Sequence, residues 1–414
     1  MPGYGAIRNS RISWVGDIPL HWKIARMKNI LQNVSEKNHP DAMVLSLYRD
    51  YGVLPKDSRD DNHNVTSLDT SSYKFVRIGE LVINKMKAWQ GSLGVSDYEG
   101  IVSPAYYVCK FISDEIDKRY IHYLLRCKAY AQEFERLSTG MRVGQWDLGI
   151  DDFMSVPVLI PPISEQIAIV GFLDEQCTQI DALIQEATVN IEEYTSWRKA
   201  LIFEAVTKGI NPHAEMKESR IDWIGMTPKH WKLSRIKNEL YNLDNLREPI
   251  SAEKRENILG LYDYYGASGV IDKIDSYNVD DTVLLIGEDG ANLRMRNLPL
   301  VYRASGKFWV NNHAHILKVH SDNNYGFIAY LLEAGDYTVY ITGSAQPKLS
   351  QFNLMRFPIV IPPVKEQEEI NAYLDNKCLI IDQLIQEKQS LIDDLEAYKY
   401  SVIFEAVTGK RKVV

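Results

Sequence analysis

One stretch of this chain occurs twice. "IPPISEQIAIVGFLDEQCTQIDALIQEA" runs from Ile160 to Ala187, and "IPPVKEQEEINAYLDNKCLIIDQLIQEK" from Ile361 to Lys388, an offset of 201 residues. The copies stay in register to "FEAVT", which is Phe203–Thr207 and again Phe404–Thr408. A second repeated block precedes each: "SRISWVGDIPLHWKIARMKNIL" over 10–31 and "SRIDWIGMTPKHWKLSRIKNEL" over 219–240, offset by 209. A chain duplicated in this way is constrained to fold as two like-built halves. Each half has a leading block, a variable segment and a helical segment.

The helical segments carry a seam. From Leu173 the apolar or small residues recur at steps of four and three: Cys177, Ile180, Ile184, Ala187, Ile191, Tyr194, Leu201 and Ala205, with Arg198 as the exception. The second copy gives Leu374, Cys378, Ile381, Ile385, Ile392, Leu395, Val402 and Ala406, with Lys388 and Lys399 as exceptions. Such 3.5-residue spacing marks helices packed side by side. The paired prolines 161–162 and 362–363 fall just ahead of the helix starts, where proline is tolerated, and Ser164 stands where an N-cap is expected for the first helix. An exposed seam needs a partner, and the other copy supplies one. An antiparallel pair relates the halves by a pseudo-twofold axis.

The variable segments, Gln32–Leu159 and Tyr241–Val360, are each about 120 to 130 residues, the size of one domain. They look unlike each other apart from two echoes, "GELVINKMKAWQGS" with "DDTVLLIGEDGANL" and "GIVSPAYYVCKF" with "KFWVNNHAHILKV". Short β-branched and aromatic runs between turn residues predict strands, and 118–137 and 325–333 predict helices. The expected fold class is α+β: two α+β domains and an antiparallel coiled coil of two long helices. The expected boundaries are a first domain over 1–159, a long helix over 160–208, a second domain over 209–360, and a second long helix with a tail over 361–414.

The bulk composition narrows the classes. No apolar run approaches the ~20 residues that span a bilayer, and "MPGYGAIRNSRISWVG" lacks signal-peptide character. A cytoplasmic protein without a membrane partner is expected. Four cysteines without a CxxC pair predict neither a disulfide framework nor a zinc site. Cys177 and Cys378 share one place in the repeat and are expected to pack as small apolar residues. The net charge of −8 argues against a uniformly basic nucleic-acid binder, though not against local basic loops.

The motifs "IPP-x-x-EQ", "IDxLIQE" and "FEAVT" in both copies, with "SWVGDIPLHW" and "DWIGMTPKHW" ahead of them, carry a resemblance over nearly the whole chain. In motif content, order and duplication the chain resembles the specificity (S) subunit of type I restriction–modification systems. The resemblance implies two target-recognition domains and a split double-stranded DNA target with a nonspecific spacer. It also implies two modification (methyltransferase) subunits that bind S-adenosylmethionine, and restriction subunits that add ATP-dependent translocation and cleavage. No cofactor is then expected on this chain. Two unlike domains on a pseudo-twofold scaffold would read two unlike half-sites about one helical turn apart, ~34 Å or ~10 bp, with the coiled coil as the ruler.

Base edges are read by Arg, Lys, Asn and Gln, and phosphates are held by Lys, Arg and backbone amides. In the first domain "NKMKAWQGS" offers Lys85, Lys87 and Gln90, and "STGMRVGQWD" offers Arg142, Gln145 and Trp146. In the second, "ANLRMRN" offers Arg294 and Arg296, and "TGSAQPKLSQ" offers Gln346 and Lys348. The two loops that precede "DDFMSVPVLIPP" and "NLMRFPIVIPP" match in position between otherwise divergent domains. Tyr106, Tyr107, Asn311, Asn312 and the His313–His315 pair are assigned to structure. Trp14, His21 and Trp22 repeat as Trp223, His230 and Trp231, and are expected to lock each domain to the coiled coil.

Catalytic signatures are missing. There is no GxxxxGK[ST] phosphate loop, and "IPPI" and "IPPV" lack the Asn or Asp of an adenine-methyltransferase Asn/Asp-Pro-Pro-Tyr run. A non-catalytic DNA-recognition subunit is expected. The competing expectation is a standalone nuclease or methyltransferase with built-in recognition domains.

Overall fold

The computed structural model describes residues 4–49, 51–58, 66–67, 69–140, 146–255 and 260–413. It divides into two units: Met1–Thr188 with Ser390–Val414, and Val189–Gln389. The division falls inside both long helices, Ile163–Lys208 and Val364–Val407. Each unit therefore holds the start of one long helix and the end of the other. Among the described residues no helix is long and apolar enough to cross a membrane.

In the first unit the leading block opens as a hairpin, Ile7–Asn9 against Asp17–Pro19. The strand Lys23–Arg26 then pairs antiparallel with Pro157–Ile160, so the chain leaves for the variable segment and returns alongside its own departure. Pro161 and Pro162 follow at once; lacking N–H donors, they end the ladder, and the long helix begins at Ile163. The amides of Glu165 and Gln166 both donate to the Pro162 carbonyl. Ser164 is thus inside the first turn, and the cap expected of it is not needed. The second unit repeats the plan, with hairpin Met216–Glu218/Met226–Pro228 and strand Lys232–Arg235 against Pro358–Ile361.

The variable segments share three strands. In the first, Leu31–Val34, Tyr106–Phe111, Leu81–Asn84 and Leu93–Val95 lie side by side in that order, all antiparallel. In the second, Leu240–Asn242, Ala314–Val319 and Val279–Gly287 repeat the first three places. The sheet then continues through Val301–Val310, Tyr262–Gly266 and Gly269–Ile274 to six strands. The two sequence echoes are the second and third of these shared strands. Beyond them the folds diverge: the first segment instead adds the hairpin Leu45–Tyr48/Gly52–Pro55 and the antiparallel pair Lys74–Val76/Gly100–Val102.

The long helices run antiparallel within each unit. In the first, Ile169, Val170 and Leu173 share a core with Val402, Ala406 and Val407, and Asp181 pairs with Lys399 at 2.6 Å. In the second, Ile202, Ala205 and Val206 share a core with Ile370, Leu374 and Cys378, and Arg198 pairs with Asp382 at 2.9 Å. Seventeen residues forward on one helix, from Asp181 to Arg198, correspond to seventeen backward on the other, from Lys399 to Asp382. The coiled coil is therefore antiparallel, as expected. Two of the charged exceptions on the seam, Arg198 and Lys399, hold matching places in the repeat and bind matching aspartates. Such half-exposed pairs contribute under about 1 kcal/mol each and act chiefly to set register. Cys177 and Cys378 are buried on the seam, and burial raises both thiols above their ordinary pKa.

Candidate nucleic-acid interface

Each sheet domain is fastened to the long-helix ends of its unit by the same side chains. Glu165 accepts from Trp22 Nε1 at 3.2 Å and lies 2.8 Å from His21 Nε2. Glu366 accepts from Trp231 Nε1 at 3.1 Å and lies 2.7 Å from His230 Nε2. The neighbouring glutamines, both fully buried, work at the next helix. Gln166 Oε1 accepts from the Asp117 amide while its Nε2 donates to the carbonyls of Pro161 and Glu115. Gln367 Oε1 accepts from the Asn324 amide while its Nε2 donates to Pro362 O and Asn323 Oδ1. Asp117 and Asn324 are the N-caps of Lys118–Arg126 and Tyr325–Ala334. About two turns further along the long helix, Asp174 accepts from Tyr123 and Asp375 from Tyr330, each at 2.8 Å. The "EQ" of the repeated motif is thus the joint between a sheet domain and its helix, and His21, Trp22, His230 and Trp231 lock it as anticipated.

On this frame the candidate loops hold matching places. In the first domain the loop after Leu81–Asn84 meets the loop ahead of Ile150–Ser155. The Leu148 amide donates to Lys85 O at 3.0 Å, Lys85 Nζ lies 2.7 Å from Asp147 Oδ2, and the rings of Trp89 and Trp146 sit 5.4 Å apart. In the second domain the loop after Val279–Gly287 meets the loop ahead of Gln351–Arg356. The Leu349 amide donates to Glu288 O at 2.7 Å, Lys348 Nζ lies 2.9 Å from Glu288 Oε1, and Arg294 Nη2 donates to Gly343 O at 3.1 Å. Both pre-helix loops are closed by paired backbone bonds, Thr139 with Asp147 and Thr342 with Lys348.

The structure thus brings Lys85, Lys87, Gln90 and Trp146 together in one domain, and Arg294, Gln346 and Lys348 in the other. Lys87, Gln90, Arg294, Gln346 and Lys348 are exposed. Arg142 and Gln145 lie outside the described residues. Arg296 sits on the same loop but turns inward. Its guanidinium donates to the carbonyls of Gly335 and Glu333, at the end of Tyr325–Ala334, and its backbone is left-handed at φ 51.

Sequence reasoning passed over the carboxylates. Asp147 and Lys348 stand 201 residues apart, in register with the repeat, and that opposition of charge was the available signal. The Asp147 carboxylate raises Lys85 above the ordinary lysine range. Glu288 has a deeper setting: Arg247 Nη1 donates to it, and Arg247 Nη2 lies 3.4 Å from Asp244. Asp244 in turn is 2.7 Å from Nδ1 of the fully buried His315, whose Nε2 is 2.8 Å from the Leu349 carbonyl. Burial pushes both carboxyls up. For Asp244 the His315 contact and the Ile316 amide outweigh it, and for Glu288 the Arg247 and Lys348 contacts do, so both end below the ordinary range. His315 is thus structural, as expected, and His313 bonds Asp289 at 2.7 Å.

Residues 19–193 and 228–393 each match the family described as the type I restriction modification DNA specificity domain. The type I restriction enzyme MjaVIII specificity subunit of Methanocaldococcus jannaschii is 22% identical over 96% of this chain and 94% of its own. A Haemophilus influenzae protein named as a type I restriction enzyme specificity subunit is 32% identical over 33% of this chain and 35% of its own. Among solved structures, a chain from work on complex assembly and conformational transition of the type I R-M system superposes with a TM-score of 0.70 at 13% identity, covering 94% of this chain and 98% of its own. The HsdS subunit of Thermoanaerobacter tengcongensis superposes with a TM-score of 0.51 at 14% identity, covering 95% and 98%. At these identities the two structures show likeness of fold.

Proposed function

The chain belongs to the type I restriction–modification DNA specificity family, and from that premise we propose that it reads a bipartite, asymmetric double-stranded DNA target, one sheet domain to each half. What carries the reading is the pairing of identical joints with unlike sheets: Glu165 and Glu366 fasten the domains by the same bonds, while the main sheet has four strands in one domain and six in the other. A frame that presents two different surfaces from equivalent mounts suits a target with two different halves. Lys87, Gln90 and Trp146 are assigned to the first half-site, and Arg294 and Gln346 to the second, with Lys85, Lys348 and Arg296 at their loop bases; Arg142 and Gln145 lie outside the described residues and are assigned to the first half-site by sequence alone. The antiparallel helices set the gap between the half-sites.

The chain itself is non-catalytic in this reading and acts in the cytoplasm. Two modification subunits bring S-adenosylmethionine and methylate adenine, and restriction subunits bring ATP-driven translocation and cleavage. Trp197 and Tyr398, at matching places in the repeat, are 51% and 44% exposed on the long helices. Exposed aromatics are favoured at interfaces, and two equivalent ones suit two identical subunits. The standalone nuclease or methyltransferase reading finds no support in the family matches.

The test is co-expression of the full chain with its modification subunits and mapping of methylated adenines. A single interrupted motif is expected. Exchanging Gln32–Leu159 for the segment of another family member should change one half only. Residues inserted after Glu193 should alter the gap and leave the bases alone. A change of bases on insertion would end the ruler reading, and uninterrupted or absent motifs would end the whole.

A further inference from the structure

Among the described residues, the loops that meet in each sheet domain are tied by one ion pair, and its polarity is reversed between the halves. We propose that the pair, not its lysine, is what each half requires: Lys85–Asp147 and Glu288–Lys348 are positioning pairs that hold the two reading loops of a domain against each other. The inference rests on the reading of those loops as DNA-facing.

The correspondence is set by the backbone. Lys85 follows directly on Leu81–Asn84, and Glu288 on Val279–Gly287, the matching strand of the other sheet. Their carbonyls accept from Leu148 and Leu349, and Asp147 and Lys348 each close a loop onto a threonine, Thr139 or Thr342. At these two equivalent places the first half has Lys and Asp, 2.7 Å apart. The second has Glu and Lys, 2.9 Å apart. Attraction between two charges is unchanged when they trade places, whereas a phosphate contact needs the cation where the phosphate is. What the halves have in common is the attraction. Three of the four partners are substantially exposed: Asp147 at 48%, Lys348 at 54% and Lys85 at 31%. A pair so placed adds little to global stability, and its effect is on where the loops lie. In the second half the tie is backed from below, since Arg247 binds Glu288 and His315 binds the Leu349 carbonyl. Lys85 and Lys348 are then positioning residues, and contact with bases falls to the loop residues beyond them, Gln90, Arg294 and Gln346 among them.

The experiment uses the full chain with its modification subunits and three variants: Lys85→Glu, Asp147→Lys, and both together. The double variant recreates in the first half the arrangement native to the second. Base preference is read by binding selection from randomised duplexes, alongside the salt dependence of binding. Each single variant should weaken binding roughly tenfold and broaden base choice in the first half only. The double should return to within about twofold of the parent with an unchanged salt slope. If a charge reversal prevents assembly, Lys85→Gln and Asp147→Asn unpair the loops without repulsion and should each broaden base choice. A double variant as impaired as Lys85→Glu, with a salt slope shallower by about one, would make Lys85 a phosphate contact. That result overturns the inference and leaves the loops as readers. Parent-like base choice in all variants would also overturn it. Failure of the reading itself would be seen elsewhere, as unchanged base choice when Gln90→Ala and Gln346→Ala remove the candidate readers.

Discussion

Set side by side, the two units share their main side-chain joints to the long helices and disagree at the loops. The same Trp–Glu and His–Glu bonds, the same buried glutamine and the same Tyr–Asp bond recur in both. The loop ties are reversed in sign, and one is solvent-facing where the other sits on a buried ionic network. The difference teaches that a duplicated frame constrains its joints tightly, because each joint residue meets a partner that is itself repeated. The loops share the backbone bonds at their bases, and their side chains are free to diverge as long as the loops stay tied.

The sharpest way to break this comparison is at its largest joint residue. Trp22 and Trp231 are both 1% exposed, and Trp22→Ala and Trp231→Ala should each cost about 3–5 kcal/mol. Hydrogen exchange should rise in the unit that carries the substitution; a loss confined to one of the two variants would mean that the joints are not equivalent. Next are the glycines that end the long helices, Gly209 at φ 77 and Gly409 at φ 71. Alanine at either carries the left-handed penalty of about 1–2 kcal/mol. At Gly409 its methyl also runs into the Pro19 ring, whereas at Gly209 the nearest atoms, of Glu366 and Trp231, lie 3.3 Å away. Thermal melting should therefore show Gly409→Ala as the more damaging.

Acid should separate the units more gently. Buried His122, beside Arg126 and Arg119, is lowered from 6.5 to about 3. The unfolded chain takes up that proton first, so the first unit loses stability as the pH falls below about 6.5. Asp244 and Glu288 are lowered carboxyls. Their contribution is complete above the ordinary carboxylate range and is lost only as the pH falls through it toward their lowered values. Exchange measured at pH 7, 5.5 and 4 should show the first unit loosening before the second, and His122→Gln should remove the early loss. The smallest effects belong to the seam: Arg198→Ala and Lys399→Ala should each cost under about 1 kcal/mol by denaturant melting, and by equal amounts.

Much of the architecture was legible because periodicity and duplication are properties of order along the chain. The 3.5-residue seam from Leu173 and Leu374 located both helices, and the two echoes located two of the three shared strands. What could not be read were contacts between residues far apart in the chain. Nothing near Glu165 signals that its carboxylate receives Trp22, and Gln166 looks like any surface glutamine until it is found buried against the Asp117 cap. The same holds for the loop ties. Lys85 reads as a free cation in isolation; only the fold places Asp147 beside it, and the inward turn of Arg296 depends on a helix end that is distant in sequence.

The way each unit borrows the end of a helix bears on the order in which the chain can fold. The second unit, Val189–Gln389, is one unbroken segment and can close as soon as that segment has been synthesised. The first cannot: Tyr120 waits for the Val407 carbonyl, 287 positions later, and the pocket around Trp22 stays open until Gly409 reaches it. During synthesis the domain made first is thus the one finished last, exposing apolar surface for the interval in which chaperones act.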